Sequence, residues 1–233
     1  AHSQRGPVFA AVAAGGGGDI IRNSSGTAAT LTVNNAAGDT FAGQLNGNLS
    51  LQKQNGGTLI LTGANGYTGT TTVNAGTLQV DGSLAGGTTT VAGGAFLAGV
   101  GTVQAINGAG TVPPGDAGVG TLSGASADFS GGATLTIEIP SDIAADRLNV
   151  TGNLTLGGTS VLVLNLAGYV APGNAQFTVA QSGTLSGVFT TVNVINNASG
   201  KSVMWAYVGN EVHVGIGMMP AGVTRPCGAI STT

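Results

Sequence analysis

The chain has 233 residues, 43 of them glycine, with 42% apolar residues, only 6% Asp, Glu, Lys or Arg, and a net charge of -3. An average protein holds roughly 7% glycine and about 25% charged residues. The apolar content excludes a disordered chain, the lack of a three-residue glycine period excludes collagen, and six basic residues cannot build a phosphate-binding stripe, so nucleic acid is no partner.

Residues 1–19, "AHSQRGPVFAAVAAGGGGD", read as an N-terminal arm. Arg5, a short apolar run from Pro7 to Ala14 and the Gly15–Gly18 tether suggest a mature N-terminus left by processing. Residues 20–200 read as one body of short strands. "ATLTVNN" (29–35), "NLSLQK" (48–53), "GTLILTG" (57–63), "TTTVNA" (70–75) and "GTLQVDG" (76–82) alternate polar and apolar residues, and Gly or Asn follows each. Helix formers are scarce; the best local candidate is one or two turns at Ser141–Arg147. Residues 201–217 hold two alternating runs, Val203–Val208 and Glu211–Ile216, separated by Gly209-Asn210, which is a hairpin signal. Trp205 and Tyr207 then share one face of the first strand. A tail, 218–233, carries the single cysteine, Cys227, which reads as an unpaired thiol. No run of about 20 apolar residues offers a transmembrane helix.

Self-similarity selects among all-β folds. "GNLSLQKQNGGTLILTG" is echoed by "GTLQVDGSLAGGTTTVAGG" and "GNLTLGGTSVLVLNL", each a Leu-rich strand with a Gly-rich corner. One such coil cannot bury its own apolar side, so coils stack. The expected fold is all-β: a right-handed parallel β-solenoid over residues 20–195 with a C-terminal β-hairpin cap. Leu59, Leu61, Val73, Leu78 and Val80 point inward, Thr and Asn outward. At roughly 20–25 residues and about 4.8 Å per coil, on the order of ten coils span about 50 Å.

Residues 51–78, "LQKQNGGTLILTGANGYTGTTTVNAGTL", closely resemble the autotransporter-associated β-strand repeat. The matching positions are Leu51, Lys53, Gly57, Thr58, Leu59, Leu61, Thr62, Gly63, Asn65, Tyr67, Thr68, Gly69, Thr71, Val73, Gly76, Thr77 and Leu78. "GTVPPGDAGVGTLS" (110–123) and the stretches 135–166 and 177–192 are similar to further passenger segments. The resemblance implies a secreted β-solenoid, usually displayed on a bacterial surface, and no common catalytic activity. No barrel-type array of strands follows before Thr233, so the expectation is a barrel removed or never present.

Sites for chemistry are few. Glu138, Asp142 and Asp146 lie near one turn and resemble a glycosidase pair only loosely; Asp146 beside Arg147 reads as a loop-ordering residue. His2 and His213 have no metal-binding neighbours in sequence, and His213 sits on a strand face. Tyr67 reads as a corner residue that packs a turn rather than a sugar-stacking ring. No catalytic, metal-binding or cofactor residue is expected. The leading functional expectation is a non-catalytic extracellular structural subunit that joins copies of itself head to tail. Val8, Phe9 and Val12 of the arm would dock on a neighbour's open edge, and Trp205 and Tyr207 would cover the last coil or the joint. Two alternatives stand beside it: a processed passenger acting as a monomeric adhesin or stalk, and a polysaccharide-active β-helix enzyme. Cell-surface or matrix polysaccharide is a second candidate partner.

Overall fold

The computed structural model describes residues 8–9, 18–115, 118–170, 173–223 and 228–230. Among these residues there is no helix, and every regular element is a short strand. The chain winds through three parallel faces in turn. The first face starts with Ile20–Asn23, Gln44–Gly47 and Ala64–Tyr67; the second with Ala29–Asn34, Leu49–Gln54 and Thr71–Val73; the third with Asp39–Phe41, Thr58–Leu61 and Thr77–Val80. The third face is an eight-stranded sheet, so the body has eight coils. Thr102–Gly108 and Thr121–Asp128 run through the corner between the first two faces without a break. This is a parallel β-solenoid, and parallel crossovers take the right-handed sense. At about 4.8 Å per coil the body is roughly 40 Å long.

The coil count falls short of the expected ten because the coils widen. Leu31 pairs with Leu51 and Leu59 with Leu78, offsets of 20 and 19 residues. Near the other end Leu162 pairs with Val192, an offset of 30. The corners absorb the extra residues while the strands keep register.

The core is a set of stacked ladders. On the third face Leu59, Leu78 and Leu97 lie in consecutive register, and all three are fully buried. Leu61, Val73 and Val80 are also buried, as the alternation requires. Each buried Leu or Val contributes about 1.5–3 kcal/mol relative to exposure. The outward positions form columns of another kind. On the second face Thr32, Gln52, Thr72 and Thr90 follow one another coil by coil, and the column continues through Asn107, Asp128, Thr155 and Ser186.

Residues 141–147 are not helical. They form bends that lead into the strand Arg147–Val150. The helix signal loses because that strand needs an extended entry, and Asp146 is anchored on both sides.

Candidate functional site: the two ends and the Asp146 loop

At the N-terminal end, the strand Val8–Phe9 runs parallel to Ala29–Asn34, with Val8 opposite Thr32 and Phe9 opposite Val33. The arm therefore closes the second-face edge of its own first coil. Val12 lies outside the described residues. Among the described residues, Ile20–Asn23 and Asp39–Phe41 each pair on one side only.

At the C-terminal end, Val203–Val208 and Glu211–Ile216 form the expected antiparallel hairpin. Gly209 takes a positive φ of 59° at the turn, a conformation glycine adopts without steric cost. Glu211–Ile216 pairs antiparallel with Ala175–Gln181 and closes the first-face edge of the last coil. Asn210 fastens the turn to the corner 182–185: its backbone carbonyl accepts the Ser182 N–H at 3.0 Å, and its Oδ1 accepts the Leu185 N–H at 3.4 Å. Its Nδ2 donates to the Gly183 carbonyl at 2.6 Å. A third strand, Gly228–Ile230, adds antiparallel to Val203–Val208 with Gly228 opposite Trp205. A Cβ at Gly228 would overlap the Trp205 indole, so the ring lies against the backbone there.

Trp205 and Tyr207 are half-buried on the core side of the hairpin, in register with Val214 and Val212. The Tyr207 hydroxyl accepts the Phe189 N–H at 2.8 Å. With Val188, Phe189, Thr190 and Val192 they line a groove of about 380 Å³. Beside it the strand Thr191–Ile195 pairs, among the described residues, on one side only, with Val161–Asn165. Val188 and Ile195 are exposed there. The hairpin was legible in the sequence, which left Trp205 and Tyr207 open between the last coil and a joint between copies. The groove was not legible, because Val188 and Phe189 sit in a corner without periodicity.

The second place of interest is a cleft of about 340 Å³ on the third face, lined in part by Pro113, Pro114, Thr136, Glu138, Asp146 and Asn165. Asp146 is only 2% exposed. Its Oδ1 accepts the Gly120 N–H and its Oδ2 the Glu138 N–H, both at 2.9 Å. Burial pushes its pKa up to about 6; the two N–H bonds oppose the shift without cancelling it. Glu138 and Asp142 are exposed. His213 Nε2 lies 2.6 Å from Glu211 Oε2 on the same strand, and its Nδ1 faces Gln176 at 3.3 Å. Among the described residues no three His, Cys, Asp or Glu side chains come together as a metal cluster.

Residues 51–80 match the passenger-associated-transport-repeat family. The chain carries an autotransporter passenger repeat. It is 33% identical over 174 residues to an adhesin, the BmaC autotransporter of Brucella suis biovar 1 (strain 1330), a match covering 68% of this chain and 5% of the adhesin. It is also 29% identical over 213 residues to an extracellular serine protease of Serratia marcescens, covering 85% of this chain and 20% of the protease. The chain thus spans a small part of each curated relative. A passenger-repeat protein of this kind is secreted or held at the cell surface.

The repeat's marked polar positions are structural here. Tyr67 is fully buried and its hydroxyl meets Thr71 across the corner. Burial raises its pKa to about 12. Asn65 Oδ1 accepts the Leu45 N–H at 3.0 Å, and its Nδ2 donates to the Gly63 carbonyl at 2.9 Å. Lys53 stands in the inward row between Val33 and Val73. The passenger-repeat motif thus places its polar groups where corners would otherwise bury unpaired backbone. Among the described residues no helix is long and apolar enough to cross a membrane.

Proposed function

We propose that this chain is a rigid, non-catalytic segment of a secreted or surface-held passenger, working as a monomeric stalk or adhesive body. The observation that carries this is edge closure within one chain. Val8–Phe9 covers an edge of the first coil, and Glu211–Ile216 covers an edge of the last. Covered edges suppress pairing with other chains. The C-terminal cap also adds three strands beyond one face only, so that end is stepped rather than flat. A second solenoid stacked there would have to displace them. The similarity to an adhesin supports an adhesive role. The Glu138/Asp146 cleft gives little support to carbohydrate cleavage, since both Asp146 oxygens are already engaged by backbone N–H groups.

A head-to-tail fibre is the second reading. It is favoured by the one-sided strand Thr191–Ile195 beside the groove of Trp205 and Tyr207. Another copy's arm, with Val8, Phe9 and Val12, would fill that groove. Deleting residues 1–9 separates the two. In the stalk reading the deletion uncovers the Ala29–Asn34 edge and a monomer begins to self-associate in sedimentation. In the fibre reading filaments are lost and monomers appear.

A further inference from the structure

The second face carries one column of hydrogen-bonding side chains along the whole body, and most of it is unspent. Thr72, Thr90 and Asn107 occupy successive outward positions of that column, and Thr155 follows after Asp128. None of these four side chains makes a hydrogen bond among the described residues, whereas Thr32 donates to Gln52 at 3.3 Å. Thr90 and Asn107 are exposed, Thr72 and Thr155 half-buried. A second column runs beside it two residues earlier in each strand: Thr30 opposite Ser50, Ala105 opposite Ser126, and Asn153 opposite Thr184. Apart from Ala105 and Asp128, the two columns place hydroxyls and amides on a grid that repeats about every 4.8 Å along the axis.

The other faces differ. The outward rows of the third face are interrupted by Phe96, Val161 and Val163. The first face carries Arg22 and Arg147. On the long column of the second face the only charge is Asp128, whose carboxylate is engaged by the Ser130 hydroxyl at 2.6 Å and the Ser130 N–H at 2.9 Å.

We infer that the second face is a docking surface for a neutral polysaccharide lying along the solenoid axis, an inference that rests on the stalk-or-adhesin reading above. The chemistry selects the occupant. A face with no basic residue on the column does not attract nucleic acid or an anionic membrane. One without large apolar side chains offers no hot-spot pocket to a protein. A regular row of groups that both donate and accept matches a polymer that presents hydroxyls at regular intervals. Each bond is weak after exchange with water, on the order of 0.5–1.5 kcal/mol. Many in register act together through multivalency.

The test is adsorption of the full chain to microcrystalline cellulose, chitin and an insoluble mannan, with anionic alginate beads as control. Thr72→Lys and Thr90→Lys together place two charges on the column. Thr102→Lys places one at an exposed position on the first face. The expected result is retention on at least one neutral polysaccharide, at least tenfold weaker for the double variant and unchanged for Thr102→Lys, with equal melting temperatures. Retention on none of them, or equal retention of both variants, overturns the inference. Sedimentation of the same samples keeps the two readings apart: monomers that bind nothing leave the stalk standing, and filaments remove it whatever they bind.

Discussion

Asp146 and Gly120 are 26 residues apart and joined by a 2.9 Å hydrogen bond from the Gly120 N–H to the Asp146 carboxylate. The same carboxylate holds the Glu138 N–H, so one side chain ties the loop before a coil to the end of that coil's last strand. Its folded pKa is raised from 3.8 to about 6 by burial. The folded protein therefore binds a proton between those values that the unfolded chain does not. That stabilisation is fully present below about pH 4 and is lost as pH rises through about 6. The ceiling is about 3 kcal/mol, at about 1.4 kcal/mol per pKa unit. Urea midpoints should rise between pH 7 and pH 5, and Asp146→Asn should flatten this rise. The introduced side-chain amide would aim its own donor at one of the two backbone N–H groups, so the variant should also lose about 1–3 kcal/mol at pH 7.

Lys53 replaces an apolar residue in a ladder. Its Nζ donates to the carbonyls of Gln54, Asn55 and Ala75 at 2.9, 2.7 and 3.2 Å, which joins two successive corners. Asn55 has a positive φ of 64° in that corner. Burial lowers the pKa of Lys53, and nearby Asp39 partly offsets this. Lys53→Met fills the space and leaves three carbonyls without a donor. A loss of about 2–4 kcal/mol in urea unfolding is expected. A loss under about 0.5 kcal/mol, the size of an ordinary surface substitution, would remove the corner-clamp role.

Gly108 and Gly56 are opposite extremes among the described glycines. Gly108 has a φ of 115°, and a Cβ there would overlap the Val91 carbonyl. Gly108→Ala should cost about 2–4 kcal/mol. Gly56 has open space around it and no positive φ. Gly56→Ala should be neutral or stabilise by up to about 1 kcal/mol. Thermal melts of the two variants check the contrast, and equal effects would contradict it.

Asn210→Ala should loosen the C-terminal cap. It removes the side-chain bonds to Leu185 and Gly183 but keeps the backbone bond to Ser182. A loss of about 1–2 kcal/mol is expected, with faster amide exchange at residues 182–186 and little change near residue 60. Uniform exchange along the chain would show that the hairpin does not act as a local cap.

Leu59, Leu78 and Val80 were legible as inward residues because alternation and the repeat agree at those positions. Gly209-Asn210 marked the hairpin by turn chemistry alone. The widening of the coils was not legible, because extra residues enter between the strands, where no periodicity constrains them. Nor was the strength of the Asp146 anchor: its burial depends on a loop 26 residues earlier in the chain. The docking place of Val8–Phe9 was open in the sequence, since any exposed strand edge would satisfy its backbone. The structure puts it on Ala29–Asn34 of its own chain.

Negative-stain electron microscopy of the purified chain reads out whether the capped solenoid stays single. Isolated rods with a body of roughly 40 Å, unchanged in length as protein concentration rises, are expected. Filaments many times that length, growing with concentration, would show that the two caps do not keep the chain apart from its copies.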